Sequence, residues 1–151
     1  MTFETKKYQV IKNAISYELA NFIYNYFLLK KDAVRYMYEN NIHSQSAILG
    51  GWADTQIPNT YSCYGDFVME TLMMKVLSKM QKETGLNLVP TYSYARVYKK
   101  GDELKRHKDR FSCEISTTMN LAGDDWPIYL EPSGEVGKKG IKVDLKQGDM
   151  L

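Results

Sequence analysis

The sequence predicts an α+β fold in which two helices come first and pack on one face of a run of short strands. Three observations predict it. Apolar residues recur at helical spacing in two segments of the N-terminal half, the period changes from about 3.6 to about 2 after Gly85, and the rest breaks into strand-like runs roughly ten residues apart. Helices followed by strands are the pattern of helices laid on one face of a sheet. Short strands separated by strong turns predict a jelly-roll or barrel. At 151 residues, 44% of them hydrophobic, the chain has the size and apolar content of one domain.

Taken in order, Lys7 to Ile15 alternates loosely and predicts a short edge strand. Ser16 stands where a helix N-cap belongs, because its hydroxyl can accept from free first-turn amides, and Glu18 follows where the helix dipole favours an acid. The spacing predicts a helix from Tyr17 to Glu39, interrupted or kinked near Lys30-Lys31-Asp32. Its core stripe is Leu19, Phe22, Ile23, Tyr26, Phe27 and Leu29, continued less regularly by Val34, Met37 and Tyr38. From Asn40 to Tyr64, Gly50-Gly51, Pro58 and small polar residues predict an irregular connector. Trp52, Asp54, Gln56, Tyr61 and Tyr64 either line the mouth of a site or cover the first helix. His43, in the same polar stretch, reads as a solvated side chain rather than a ligand.

A second helix runs from about Asp66 to Thr84 and is closed by Gly85 at the position that favours a left-handed residue. Its buried face is Phe67, Leu72, Met73, Val76, Leu77 and Met80. Strands are predicted over Leu86–Tyr98 with Pro90 near an edge, Leu104–Asp109, Glu114–Leu121, Trp126–Glu131 and Ile141–Leu145. Gln147-Gly148-Asp149 is a tight turn.

Twenty basic and eighteen acidic residues leave a formal charge of +2, so net charge alone argues against a nucleic-acid or membrane partner. No stretch reaches about 18 uninterrupted apolar residues and none reads as a signal-peptide core, which predicts a soluble, cytoplasmic protein. Cys63 and Cys113 lie fifty positions apart without a Cys-x-x-Cys pattern and read as free thiols. With only His43 and His107 in the sequence, a two-histidine metal site within it has to use both.

The stretch with most chemistry is Tyr94 to Leu121. His107 and Asp109 are separated by one residue, so on an extended backbone imidazole and carboxylate leave the same face and can converge on one ion. That is two-thirds of a 2-His-1-carboxylate triad, the donor set that leaves positions open on a non-heme Fe(II). By itself His-x-Asp is a weak motif; the bland reading is a surface pair among Lys105, Arg106, Lys108 and Arg110.

The context is a strand ending in Tyr98, a Lys-Lys-Gly-Asp-Glu-Leu turn, His107-Lys-Asp109, and a Thr-rich strand from Ile115 to Leu121. In that order and spacing the chain resembles the prolyl 4-hydroxylase-like branch of the 2-oxoglutarate and Fe(II)-dependent dioxygenases, over about residues 85–151. The resemblance implies a double-stranded β-helix, a cupin-like jelly-roll, with the two N-terminal helices packed on it. Residues 1–85 would be its mainly helical part and 86–151 its β-helix core.

By the same resemblance, His107 and Asp109 are metal ligands and Tyr98 lies beside 2-oxoglutarate. Ser116, Thr118 and Asn120 occupy the strand face that looks into the barrel, opposite Ile115, Thr117 and Met119. Some relatives carry a second cosubstrate-contacting tyrosine where Asn120 stands, so here that contact is amide-based or absent, or Asn120 is a barrel-lining polar residue. The implied cofactor is Fe(II), with 2-oxoglutarate and O₂ as cosubstrates and ascorbate as an optional reductant. The implied oxidoreductase activity hydroxylates a C–H bond, first of all in a prolyl or other residue of a peptide or protein, with a small-molecule substrate open. Asn40–Tyr64 and the Lys99–Glu103 turn would frame a groove for an extended peptide.

The family places its second histidine after the Gly-Asp turn, and later still the basic residue that holds the far carboxylate of 2-oxoglutarate. After Gly148-Asp149 this sequence has only Met150 and Leu151. The expectation is therefore a C-terminally incomplete version of the domain, lacking its closing strands and inactive or weakly active as written. Two other classes stand beside the oxygenase: a non-catalytic or differently metallated β-helix binding module, and an α+β interaction protein in which His-x-Asp is coincidental.

Overall fold

The structure, a computed structural model, describes residues 3–44 and 46–151. The fold is α+β. Its elements are α1 (Phe3–Lys6), α2 (Tyr17–Glu39), β1 (Tyr61–Tyr64), α3 (Phe67–Thr84), β2 (Tyr94–Val97), β3 (Ile128–Leu130) and β4 (Ile141–Val143). Two antiparallel two-stranded sheets form, β1 with β2 and β3 with β4, and no closed barrel is present among the described residues. Among those residues no helix is long and apolar enough to cross a membrane. The chain packs as two compact units, one of Asn25–Lys75 with Val89–Ile115, the other of the residues up to Tyr24 with Val76–Leu88 and Ser116–Leu151.

Both long helices start and stop where their sequences signal. The Ser16 hydroxyl accepts from the Leu19 amide at 3.2 Å, and Gly85 adopts φ +73° past the end of α3, a conformation that costs glycine little. Asp66 caps α3 by accepting from the amides of Val68 and Met69. α2 runs through Lys30-Lys31-Asp32 without interruption.

Its buried face is narrower than the apolar pattern suggests. Ala20, Ile23, Phe27 and Val34 are buried, whereas Phe22 and Leu29 are 69% and 71% exposed. At 3.6 residues per turn those two lie roughly 130–150° around the helix from the buried line, so being apolar did not bring them inside. Phe67, placed by its spacing on the buried face of α3, is likewise exposed, and Met69 is buried instead.

In the first unit the core gathers Phe27, Val34, Ile57, Tyr61, Cys63 and Met69. Tyr61 holds it together: its ring packs 5.2 Å from Phe27 and 5.0 Å from Trp52, and its hydroxyl donates to the Leu49 carbonyl at 2.6 Å. β1 therefore lies inside the stretch that reads as an irregular connector. Gly51 extends the ribbon by bridging Ser62. Trp52 and Tyr61 pack rather than line a mouth.

In the second unit the core is Ala14, Ile15, Ala20, Ile23, Val76, Val143, Leu145 and Met150. Met150 bridges both Ile11 and Met119, so the edge strand expected over Lys7–Ile15 and the strand expected over Glu114–Leu121 are each reduced to one bridge. The Lys146–Asp149 turn anchors the assembly. Asp149 accepts from Lys12 Nζ (2.7 Å), the Asn13 amide (3.0 Å) and the Lys146 amide (2.9 Å). Burial raises the pKa of its carboxyl, but the bonds from Lys12 and the two amides outweigh that and hold it below the usual carboxylate range. Gly148 sits at φ +83°, where an added Cβ would stand 2.7 Å from the Ile15 carbonyl oxygen, so no other residue fits there unstrained.

Candidate functional site

The candidate metal pair is reached from β2, which pairs with β1 in the register Tyr61↔Val97. Beyond Tyr98 the chain reverses at Lys99–Asp102, closed by the Asp102 amide donating to the Lys99 carbonyl at 3.0 Å. This turn is pinned to the buried Thr60. The Thr60 hydroxyl donates to Asp102 at 2.7 Å, and Lys99 Nζ donates to Thr60 Oγ1 at 2.9 Å and to the Asp102 carboxylate. Burial opposes the charge on Asp102, yet the Lys99 and Thr60 bonds outweigh it and hold the carboxyl below its ordinary range.

After that anchor the backbone is irregular, and residues 105–112 are all exposed. The strand expected over Leu104–Asp109 does not form: among the described residues no strand pairs with this segment to supply a ladder. His107 and Asp109 converge all the same. His107 Nδ1 lies 2.8 Å from the Lys105 carbonyl oxygen, which can only accept, so this nitrogen carries the proton. Nε2 then faces Asp109 Oδ1 at 3.4 Å, with the side chains 37% and 48% exposed. Adjacent ligands at about 2.1 Å from an octahedral ion stand roughly 3 Å apart, so the pair fits a divalent cation with little adjustment. A second-sphere carbonyl that fixes the tautomer is what a metal-binding imidazole requires. Among the described residues no group of three His, Cys, Asp or Glu side chains is placed to hold a metal ion. His43 is exposed and bonded to the Ser44 carbonyl.

Tyr98 shares this unit. Its hydroxyl accepts from Arg96 Nη1 at 3.5 Å, and Arg96 in turn binds Asp54 and Gln56 from the preceding loop. The Arg96 guanidinium lies 4.7 Å from the Tyr94 ring, whose hydroxyl donates to Asp54 at 3.0 Å. Burial works against both charges, but each stabilises the other: Asp54 is held below the usual carboxylate range and Arg96 stays protonated. Asp54 and Tyr94 also line an open groove of about 290 Å³, floored by Gly50 and Gly51 and flanked by Tyr64.

Ser116, Thr118 and Asn120 belong to the other unit. The backbone of Thr118 exchanges two hydrogen bonds with Leu151, and Ser116 is exposed. The Asn120 side-chain amide donates to the Leu145 carbonyl at 2.9 Å, and its backbone bonds to Gly148 and Asp149. The amide of Asn120 thus holds the Gly-Asp turn. Of the six candidate residues, His107 and Asp109 are brought together, Tyr98 lies in the same unit, and the other three form one segment of the second unit.

A buried cluster went unread in the sequence. Asp66, 1% exposed, accepts from Lys30 Nζ at 2.6 Å and from the Tyr26 hydroxyl at 2.7 Å; Lys30 also donates to the Ile48 carbonyl and lies 3.4 Å from Cys63 Sγ. Burial pushes up the pKa of the Tyr26 hydroxyl and of the Cys63 thiol, and the Asp66 charge adds to both. The available signal was Lys30 itself, a cation about 50° from the buried line of α2 at 100° per residue.

Compared with protein-family models, curated proteins and solved structures, the chain matches none. The family resemblance therefore rests on the order and spacing of the chain's own residues.

Proposed function

We propose that the protein is a non-heme Fe(II) and 2-oxoglutarate-dependent dioxygenase of the prolyl hydroxylase-like type, built on a double-stranded β-helix. It hydroxylates a prolyl or other residue in a peptide or protein. The observation that carries this reading is the 3.4 Å approach of His107 Nε2 to Asp109 Oδ1 with Nδ1 tied to the Lys105 carbonyl. Two donors with the right softness, one neutral and one anionic, face solvent at the spacing of adjacent ligands.

In this reading His107 and Asp109 hold the ion, and both must be unprotonated to do so. Bound there, Fe(II) would supply O₂ activation coupled to conversion of 2-oxoglutarate to succinate and CO₂. The Lys105 carbonyl keeps the His107 proton on Nδ1 and orients the ring. Tyr98 is the cosubstrate-side hydroxyl, held by Arg96.

Anaerobic addition of Fe(II) and 2-oxoglutarate tests the proposal. A weak visible charge-transfer band that disappears in His107→Ala is the expected result. Fe(II) binding without a band that depends on 2-oxoglutarate would replace the oxygenase with a differently metallated binding module.

A further inference from the structure

The geometry points to an acidic peptide segment as the substrate of the His107–Asp109 site, recognised by the exposed basic run that carries the pair. This deepens the oxygenase reading, on which the word substrate rests. Lys105, Arg106, Lys108 and Arg110 alternate with His107 and Asp109 along residues 105–112, all of them exposed. From Lys99 to Ser112 there are six cations against Asp102, Glu103 and Asp109, a surplus of three, while the whole chain carries only +2. The rest of the molecule is thus slightly acidic, and the positive field is concentrated at this segment.

Lys99 is consumed by Asp102 and Thr60. Among the described residues Lys105, Lys108 and Arg110 make no ion pair. At roughly 3.3 Å per extended residue, Lys105, Lys108 and Arg110 lie within about one or two Debye lengths (about 8 Å) of the His107–Asp109 pair, so an arriving ligand feels their sum. A divalent ion on one carboxylate would leave the site still positive. Electrostatic complementarity then selects a ligand with several carboxylates flanking the oxidised residue. Phe111, 93% exposed, adds an apolar contact at the end of the run. The sequence pI of 8.4 and the single short run fall short of the broad basic stripe, with a domain pI above about 9, that marks nucleic-acid binders.

Fluorescence anisotropy on the full chain, without metal or 2-oxoglutarate, tests the inference with three labelled peptides of equal length. Each carries a central proline flanked by Asp/Glu, by Ser/Gly or by Lys. The acidic peptide is expected to bind at least tenfold more tightly than the neutral one and to weaken as salt rises. K108E/R110E, checked for folding by circular dichroism, should invert the order in favour of the Lys-flanked peptide, an outcome that loss of structure would not produce. Equal binding of the three peptides overturns the inference, as does tighter binding of a labelled single-stranded oligonucleotide than of the acidic peptide. Because the readout needs no iron, a missing charge-transfer band with the peptide preference intact would sink the oxygenase reading alone.

Discussion

Two acid–base pairs in the same unit are built on opposite plans. Lys30–Asp66 is enclosed: Asp66 is 1% exposed and accepts from an ammonium, a phenol and two helix amides. His107–Asp109 lies on an exposed segment with its facing donors 3.4 Å apart and open to solvent. The first arrangement uses the acceptor capacity of its carboxylate inside the protein, so it joins α2 to the start of α3 and offers nothing to a ligand. The second stands at the surface, with both side chains partly exposed. Burial, rather than residue type, separates the structural pair from the candidate site.

The contrast is tested most severely at Asp66. Asp66→Ala leaves Lys30 buried without its counter-charge and removes the α3 cap, and should cost about 3–5 kcal/mol in urea unfolding. A loss under about 1 kcal/mol would show that the enclosed pair is dispensable and break the comparison.

A smaller effect is expected from acid. Asp66, Asp54 and Asp149 are held below their ordinary range in the folded protein, each against a burial penalty that bonds from Lys30, Arg96 and Lys12 respectively overcome. Carboxyls with depressed folded pKa stabilise the native state at neutral pH. That contribution is lost as the pH falls below about 4, where unfolded aspartates take up protons, and on through the folded values. Urea midpoints measured from pH 7 downwards should therefore fall below that point, and Asp66→Asn should flatten the slope.

The smallest stability effect belongs to His107→Ala, within about 0.5 kcal/mol because the side chain is exposed and its ring bond is local. The same variant should abolish the Fe(II)- and 2-oxoglutarate-dependent band. A loss above about 2 kcal/mol would make His107 structural and remove the distinction between the pairs.

Much of the local structure was legible from residue order. α2 and α3 begin at Ser16 and Asp66 and the second ends at Gly85, because caps and left-handed turns act within a few residues. β2, β3 and β4 fall inside strands read from alternation and turn signals. His107 and Asp109 meet because they are two residues apart, although the backbone between them is irregular rather than extended.

What escaped the reading involves partners far apart in the chain. Lys30 meets Asp66 across 36 positions and Arg96 meets Asp54 across 42, and periodicity carries no information about either. Phe22, Leu29 and Phe67 are apolar and lie at plausible spacings, yet burial depends on which helix face meets a neighbour. The ribbon of β1 and β2 and the bridges of Met150 to Ile11 and Met119 exist only because distant segments supply ladder bonds; where none does, as at residues 105–112, the strand is lost.

By itself the sequence determined the two helices and their ends, the tight turns, and the proximity of His107 to Asp109 in a cationic setting, since each depends on residues a few positions apart. Only the tertiary structure decided which apolar residues enter the cores, which charges pair in the interior, and that His107 and Asp109 stand in the open. Those outcomes are set by desolvation and by the supply of hydrogen-bond partners across tens of residues.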